Sequence, residues 1–161
     1  MEMTLVETHN IVKTHRYWYA LDELCYLSKN LYNATMYRVR QYYIETGNYL
    51  NYYQVNKEFT DNKQDDYVAL PAKVSKWTQR LVDHDFNTFF GSLRAKKQGK
   101  INKDIRLPRY AKKDGRKEVF YEKGALSFKK KGYIKLSKTE IYIKTRTELC
   151  NRSAQPPPPP K

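Results

Sequence analysis

Two periodicities divide this chain. From Tyr17 onward, Leu21, Leu24, Cys25, Ser28, Leu31, Tyr32, Thr35, Val39, Tyr42 and Tyr43 recur at three- and four-residue steps. That spacing stacks side chains into one stripe along a helix of about seven turns. Asp22, Glu23, Lys29, Asn33, Arg40 and Glu45 fall on its polar side. Thr46-Gly47-Asn48 ends it, because glycine enters the left-handed cap at no steric cost. Tyr52, Val55 and Phe59 predict a shorter helix, closed by the polar stretch 60–66. Pro71 suits the first turn of a third helix, where its missing N–H costs nothing. Val74, Trp77, Leu81, Val82, Phe86, Phe89 and Leu93 form that helix's apolar stripe, which reads as core, and Gly99 ends it.

Elsewhere the period is two. Residues 3–13 (MTLVETHNIVK) are rich in β-branched side chains and predict a short first strand. Past Gly99, Arg106-Leu107-Pro108-Arg109-Tyr110 is extended by the constraint on residues preceding proline. Lys113-Asp114-Gly115-Arg116 reads as a turn, and 118–121, 125–128, 133–136 and 141–144 alternate apolar with polar residues. The expected fold is α+β: a small basic antiparallel β module, barrel-like or a meander, with an inserted helical lobe. Its first strand lies in 1–16, the lobe spans 17–98 and the rest of the module 99–148. Residues 149–161 abandon both patterns. Five consecutive prolines favour an extended polyproline segment, expected to be disordered.

Charge sharpens this division. Residues 94–146 hold 19 Lys and Arg against 5 Asp and Glu, a net of +14, which equals the net charge of the whole chain. The rest is electrically ordinary. A concentrated basic block attracts polyanions, and releasing the counterions condensed on nucleic acid adds a sequence-independent binding term. Tyrosine is over-used, with 15 of 161 residues, ten of them between Tyr17 and Tyr53. Its ring packs while its hydroxyl reaches water, which suits both a wet interface and a core with wet edges. Cys25 and Cys150 form neither a disulfide framework nor a metal knuckle. No apolar run of about 18 residues and no leader-like start occurs. The expected setting is intracellular and cytoplasmic, nucleoid-associated in a prokaryote, with no membrane partner.

Candidate catalytic chemistry is sparse. Asp83-His84-Asp85 is adjacent on a helix, where successive side chains point about 100° apart, so its carboxylates do not converge on one metal. Asp65-Asp66 reads as a solvated loop. His9, His15 and His84 lack ligand spacing, and no phosphate loop or activated nucleophile is present. No enzyme activity, cofactor, metal or small-molecule substrate is expected.

The basic block is more specific. Arg109-Tyr110-Ala111-Lys112-Lys113-Asp114-Gly115-Arg116-Lys117 combines a turn with five cations and an aromatic, and Phe128-Lys129-Lys130-Lys131-Gly132-Tyr133-Ile134-Lys135-Leu136 does the same at a hairpin. Lysines neutralise phosphates and rings stack on bases in single-stranded or structured nucleic acid; lysines also protect sheet edges. The candidate contact residues are Arg106, Arg109, Tyr110, Lys112, Lys113, Arg116, Lys117, Lys129, Lys130, Lys131, Lys135 and Lys138.

Asn30-Leu31-Tyr32-Asn33-Ala34-Thr35-Met36-Tyr37-Arg38 resembles the "YN" helix that opens the TnpB/OrfB-type probable transposases, relatives of type V CRISPR nucleases. Val74–Phe90 looks like that family's next helix, and Leu107–Tyr110, the 112–117 turn and Gly132–Leu136 are similar to the segment leading to its catalytic domain. The resemblance covers about 3–146. It implies a wedge-like β domain with a helical recognition lobe, and contact with guide-type RNA and target DNA. It also implies a nuclease domain downstream, with three carboxylates and a four-cysteine zinc motif, neither of which is in this sequence; a frameshift or premature stop near 147–150 is the expectation. Alternatives are a free-standing RNA-binding protein and a protein-interaction fragment whose proline run is an SH3-type ligand. Oligomeric state is left open.

Overall fold

A computed structural model describes residues 6–146. Four helices follow an irregular start: α1 (Trp18–Thr46), α2 (Tyr52–Asp61), α3 (Asp65–Val68) and α4 (Ala72–Lys97). The predicted stripes face each other. α1 packs along α4, α2 lies on α4, and α3 contacts both long helices. Leu31, Met36, Val74 and Phe86 are fully buried between them, each contributing about 1.5–3 kcal/mol by leaving water. At the far end of α1, Tyr43, Tyr49, Phe86, Phe89 and Phe90 form an aromatic cluster with edge and tilted contacts at 5.2–6.3 Å. Phe86 and Phe89 of the α4 stripe are core, as their spacing implies, but Trp77 is only half-buried and packs outside that cluster against Phe120.

Local chemistry sets the helix ends. Gly47, at φ +71°, donates its N–H to Tyr43 O and closes α1. Asn51 and Gln54 exchange side-chain bonds with each other's backbone N–H at 3.1 and 3.0 Å and start α2. The polar stretch at 60–66 is not only a closing loop. Gln64 Oε1 accepts the Tyr67 N–H at 2.8 Å and starts α3, which buries Tyr67; Asp65 and Asp66 therefore sit in a helical first turn.

Beyond a short 3₁₀ turn (Lys123–Ala125), β1 (Leu126–Ser127), β2 (Tyr133–Leu136) and β3 (Tyr142–Lys144) form an antiparallel sheet in the order β1-β2-β3. The fold is α+β, but the sheet is open and does not close into a barrel. The expected first strand does not form in the described residues. Val6 and Val12 are 86% and 62% exposed and only Ile11 among the described apolar residues of this segment is partly buried, so the alternation has no sheet to pack on. That segment instead passes the end of the sheet, where Glu7 accepts the Arg146 N–H at 2.9 Å. Residues 1–5 and the proline-rich tail at 149–161 lie outside the described residues.

Residues 118–121 also make no strand, because their neighbour is a helix. From Pro108 to Glu118 the chain is an extended strap running antiparallel to α1, and α1 side chains satisfy its backbone. Arg40 donates to Pro108 O. Asn33 accepts the Ala111 N–H at 2.8 Å and donates to Ala111 O at 3.1 Å. Lys29 donates to Lys113 O at 2.9 Å, and Ser28 to Glu118 O at 2.9 Å. The Lys117 N–H reaches Cys25 O at 3.1 Å. The polar side assigned to α1 is thus corrected: Asp22, Lys29, Asn33 and Arg40 face the strap, and Lys29 is buried, 4% exposed. Ile105, Leu107, Ala111, Val119 and Tyr121 meanwhile pack onto the helical core.

Urea unfolding separates the two contributions. Phe86→Ala opens a core cavity and loses about 3–5 kcal/mol. Asn33→Ala strips both partners from Ala111 and loses about 1–3 kcal/mol. An unchanged midpoint for Asn33→Ala would remove the clamp from this account.

Candidate nucleic-acid interface

Because α1 holds the strap by its backbone, the strap's cationic side chains are left to point outward. Arg106, Arg109, Lys112 and Lys113 are exposed and make no ion pair among the described residues. A turn closed by the Gly115 N–H on Lys112 O, at 3.0 Å, presents the two lysines. Tyr110 is 43% exposed, with the Arg40 guanidinium 5.1 Å from its ring centre.

Arg116 and Lys117 differ from their neighbours. Arg116 grips Asp22 through two parallel bonds, Nε to Oδ1 at 2.8 Å and Nη2 to Oδ2 at 2.7 Å. These bonds hold the Asp22 carboxyl below the usual carboxylate range. The Lys117 ammonium sits 4.2 Å from the Tyr32 ring centre. Both residues fasten the strap before they offer charge to a ligand.

The second basic surface is one face of the sheet. Lys135 pairs with Ser127 and Tyr142, and Tyr133 with Lys144. Paired and alternating residues share a face, so Tyr133, Lys135, Tyr142 and Lys144 stand together. Leu126, Ile134, Leu136 and Ile143 occupy the other side. Lys130 adds its ammonium 4.3 Å from the Tyr133 ring centre and 5.6 Å from that of Tyr142. Lys135 lies 5.2 Å from the Tyr142 ring centre and pairs with Glu140 at 2.8 Å, a hydrogen bond that raises its pKa. Lys129 and Lys131 are exposed on the β1–β2 connection, which turns at Gly132 with φ +73°. Lys138 is exposed in the β2–β3 turn at φ +60°. Tyr133, Tyr142 and Lys144 were not among the contact residues expected from sequence. Strand alternation carries the signal, but the cross-strand register is needed to join the two strands into one face.

The acidic residues of α4 are committed elsewhere. Asp83 accepts from the Tyr49 hydroxyl at 2.5 Å and the Tyr52 N–H at 3.0 Å, fixing the start of α2. Asp85 accepts from the Tyr32 hydroxyl at 2.5 Å, tying α4 to α1. Burial, reinforced by these carboxylates, pushes both tyrosine hydroxyls well above their ordinary range. Among the described residues no three His, Cys, Asp or Glu side chains gather where they could hold a metal ion. No described helix is long and apolar enough to cross a membrane. No family model, curated protein or solved structure matches this chain.

Two variants test the division of labour on the strap. Lys112→Ala with Lys113→Ala leaves the melting temperature within a few degrees, since exposed charges contribute little stability. Asp22→Asn lowers it at neutral pH. Asp22 has a depressed folded-state pKa, so its stabilisation is present above the unfolded carboxylate pKa of about 3.9 and lost as pH falls through the lower folded value. The Asp22→Asn and parent melting curves therefore converge in acid. A constant gap between them from neutral pH to pH 2 would show that Arg116 does not act through the Asp22 charge.

Proposed function

We propose that this chain binds nucleic acid through the strap and the basic sheet face, as the RNA- and DNA-contacting portion of a TnpB/OrfB-type protein working in the cytoplasm. The observation that carries the reading is that the cations are held in order. Arg109, Lys112 and Lys113 project from a backbone fastened to α1, with Arg106 exposed just ahead of it, and the sheet sets lysines beside tyrosine rings. A phosphate backbone meets such a row with many weak contacts at once, and each contact releases counterions. The resemblance of Asn30–Arg38 and Leu107–Tyr110 to the family's segments points to guide-type RNA with a DNA target as the ligands. In this reading the chain binds without cleaving, and Asp83 and Asp85 serve to hold Tyr49, Tyr52 and Tyr32.

Filter binding of a structured RNA over a range of monovalent salt tests this directly. Six or so phosphate contacts give a slope of about −4 to −5 in log affinity against log salt. Lys112→Ala with Lys113→Ala reduces the steepness by one to two units and leaves folding intact. A slope near −1 in the parent chain would reduce the basic block to an ordinary surface.

A further inference from the structure

We infer that the tyrosine wall of the sheet, Tyr133 and Tyr142, is a seat for unpaired nucleotides, with one base on each side of it. The inference rests on the nucleic-acid reading above and deepens it by naming single-stranded RNA or DNA as what the sheet receives. Two cavities share these two tyrosines. One, of about 330 Å³, lies among Lys129, Lys130 and Lys135. The other, of about 280 Å³, lies toward the start of the chain and is bounded by Ile11, His15, Arg16, Ile143 and Lys144. Both volumes lie close to the lower bound for small-ligand sites, roughly 300 Å³. Each therefore suits a single nucleotide and excludes a duplex.

The chemistry is that of a nucleotide on both sides. Aromatic rings supply stacking surface that every base can use, whatever its identity. In the second cavity Ile11 adds an apolar wall, while Arg16 and Lys144 bring charge for a phosphate. On the first side the ammonium groups of Lys130 and Lys135 rest over the rings, with centroid distances of 4.3 and 5.2 Å. At an exposed site such a contact is weak, and Lys135 shares its charge with the exposed Glu140. An incoming phosphate draws the lysines off the rings and a base takes the uncovered face. Bases in a duplex are already stacked and paired, so only an unpaired segment, or the loop of a structured RNA, makes this exchange.

Fluorescence anisotropy with a ten-nucleotide uridine oligonucleotide and a duplex of equal length tests the inference. The single strand binds more tightly than the duplex at the same salt. Tyr133→Leu and Tyr142→Leu each weaken it about tenfold, while Tyr142→Phe, which keeps the ring, binds as the parent does. Crosslinking of the unaltered chain to a 4-thiouridine oligonucleotide gives a readout that does not depend on the variants folding. Adducts are expected both at residues 9–17 and at 129–144. If lysine-to-alanine changes weaken binding while the leucine variants do not, or adducts fall only on 106–117, the tyrosine seat is wrong and the nucleic-acid reading survives. If neither oligonucleotide binds, both fall.

Discussion

The backbone of residues 108–118 has no strand beside it, and extended backbone packed against a helix must find its hydrogen bonds elsewhere. Most backbone groups of a helix are already bonded within it, so side chains of α1 supply nearly all of them, the exception being the Cys25 carbonyl that accepts the Lys117 N–H. Asn33 does so most completely. Its carboxamide carries an acceptor and a donor in one plane and meets the N–H and C=O of Ala111 as a neighbouring strand would. Arg40, Lys29 and Ser28 repeat the service at Pro108, Lys113 and Glu118. Ile105, Leu107 and Val119 add apolar weight to the same strip.

This arrangement reconciles a strongly basic segment with a fixed position. Nineteen cations in residues 94–146 repel one another, and nothing in their own charge favours order. Holding the strap through its carbonyls and amides leaves most cationic side chains outside, in water or available to phosphate. Where a cation is used for fastening it meets a matched partner: Arg116 meets Asp22 with two parallel bonds, and Lys117 meets the Tyr32 ring. Tyr32 is itself tied to Asp85, so strap, α1 and α4 are linked through one ring. At the other end of the strap, Trp77 of α4 lies against Phe120, with ring centres 5.7 Å apart, and Lys73 pairs with Glu122 at 3.6 Å; these contacts seat the small sheet beside the helices.

The long helices were legible because burial imposes a period. Leu31, Thr35 and Val39 on α1 and Val74, Val82, Phe86 and Phe89 on α4 repeat at helical spacing and are all buried. Tyr133–Leu136 was legible as a strand by its alternation. What escaped depends on partners distant in sequence. Asn33 and Lys29 look like solvent-facing polar residues until residue 111 or 113 is known to lie over them. Residues 3–13 carry β-branched side chains as a strand does, but propensity cannot supply a neighbouring strand, and the described part stays irregular. The candidate cations fall in two groups at two turns of the chain, yet which of them are spent on internal pairs was hidden, because Asp22 is 94 residues from Arg116. Tyr133 and Tyr142 join one face only through the register of β2 with β3.

On this structure the basic strap is an ordered element held on α1 by its backbone. Hydrogen–deuterium exchange of the free chain, resolved to single amides, reports on that order. The Ala111 and Lys117 amides, bonded to Asn33 and to Cys25 O, are expected to exchange much more slowly than those of Lys112 and Lys113 beside them. Exchange at Ala111 and Lys117 as fast as in an unstructured peptide would mean that α1 does not hold the strap, and that the cations form a loose basic segment.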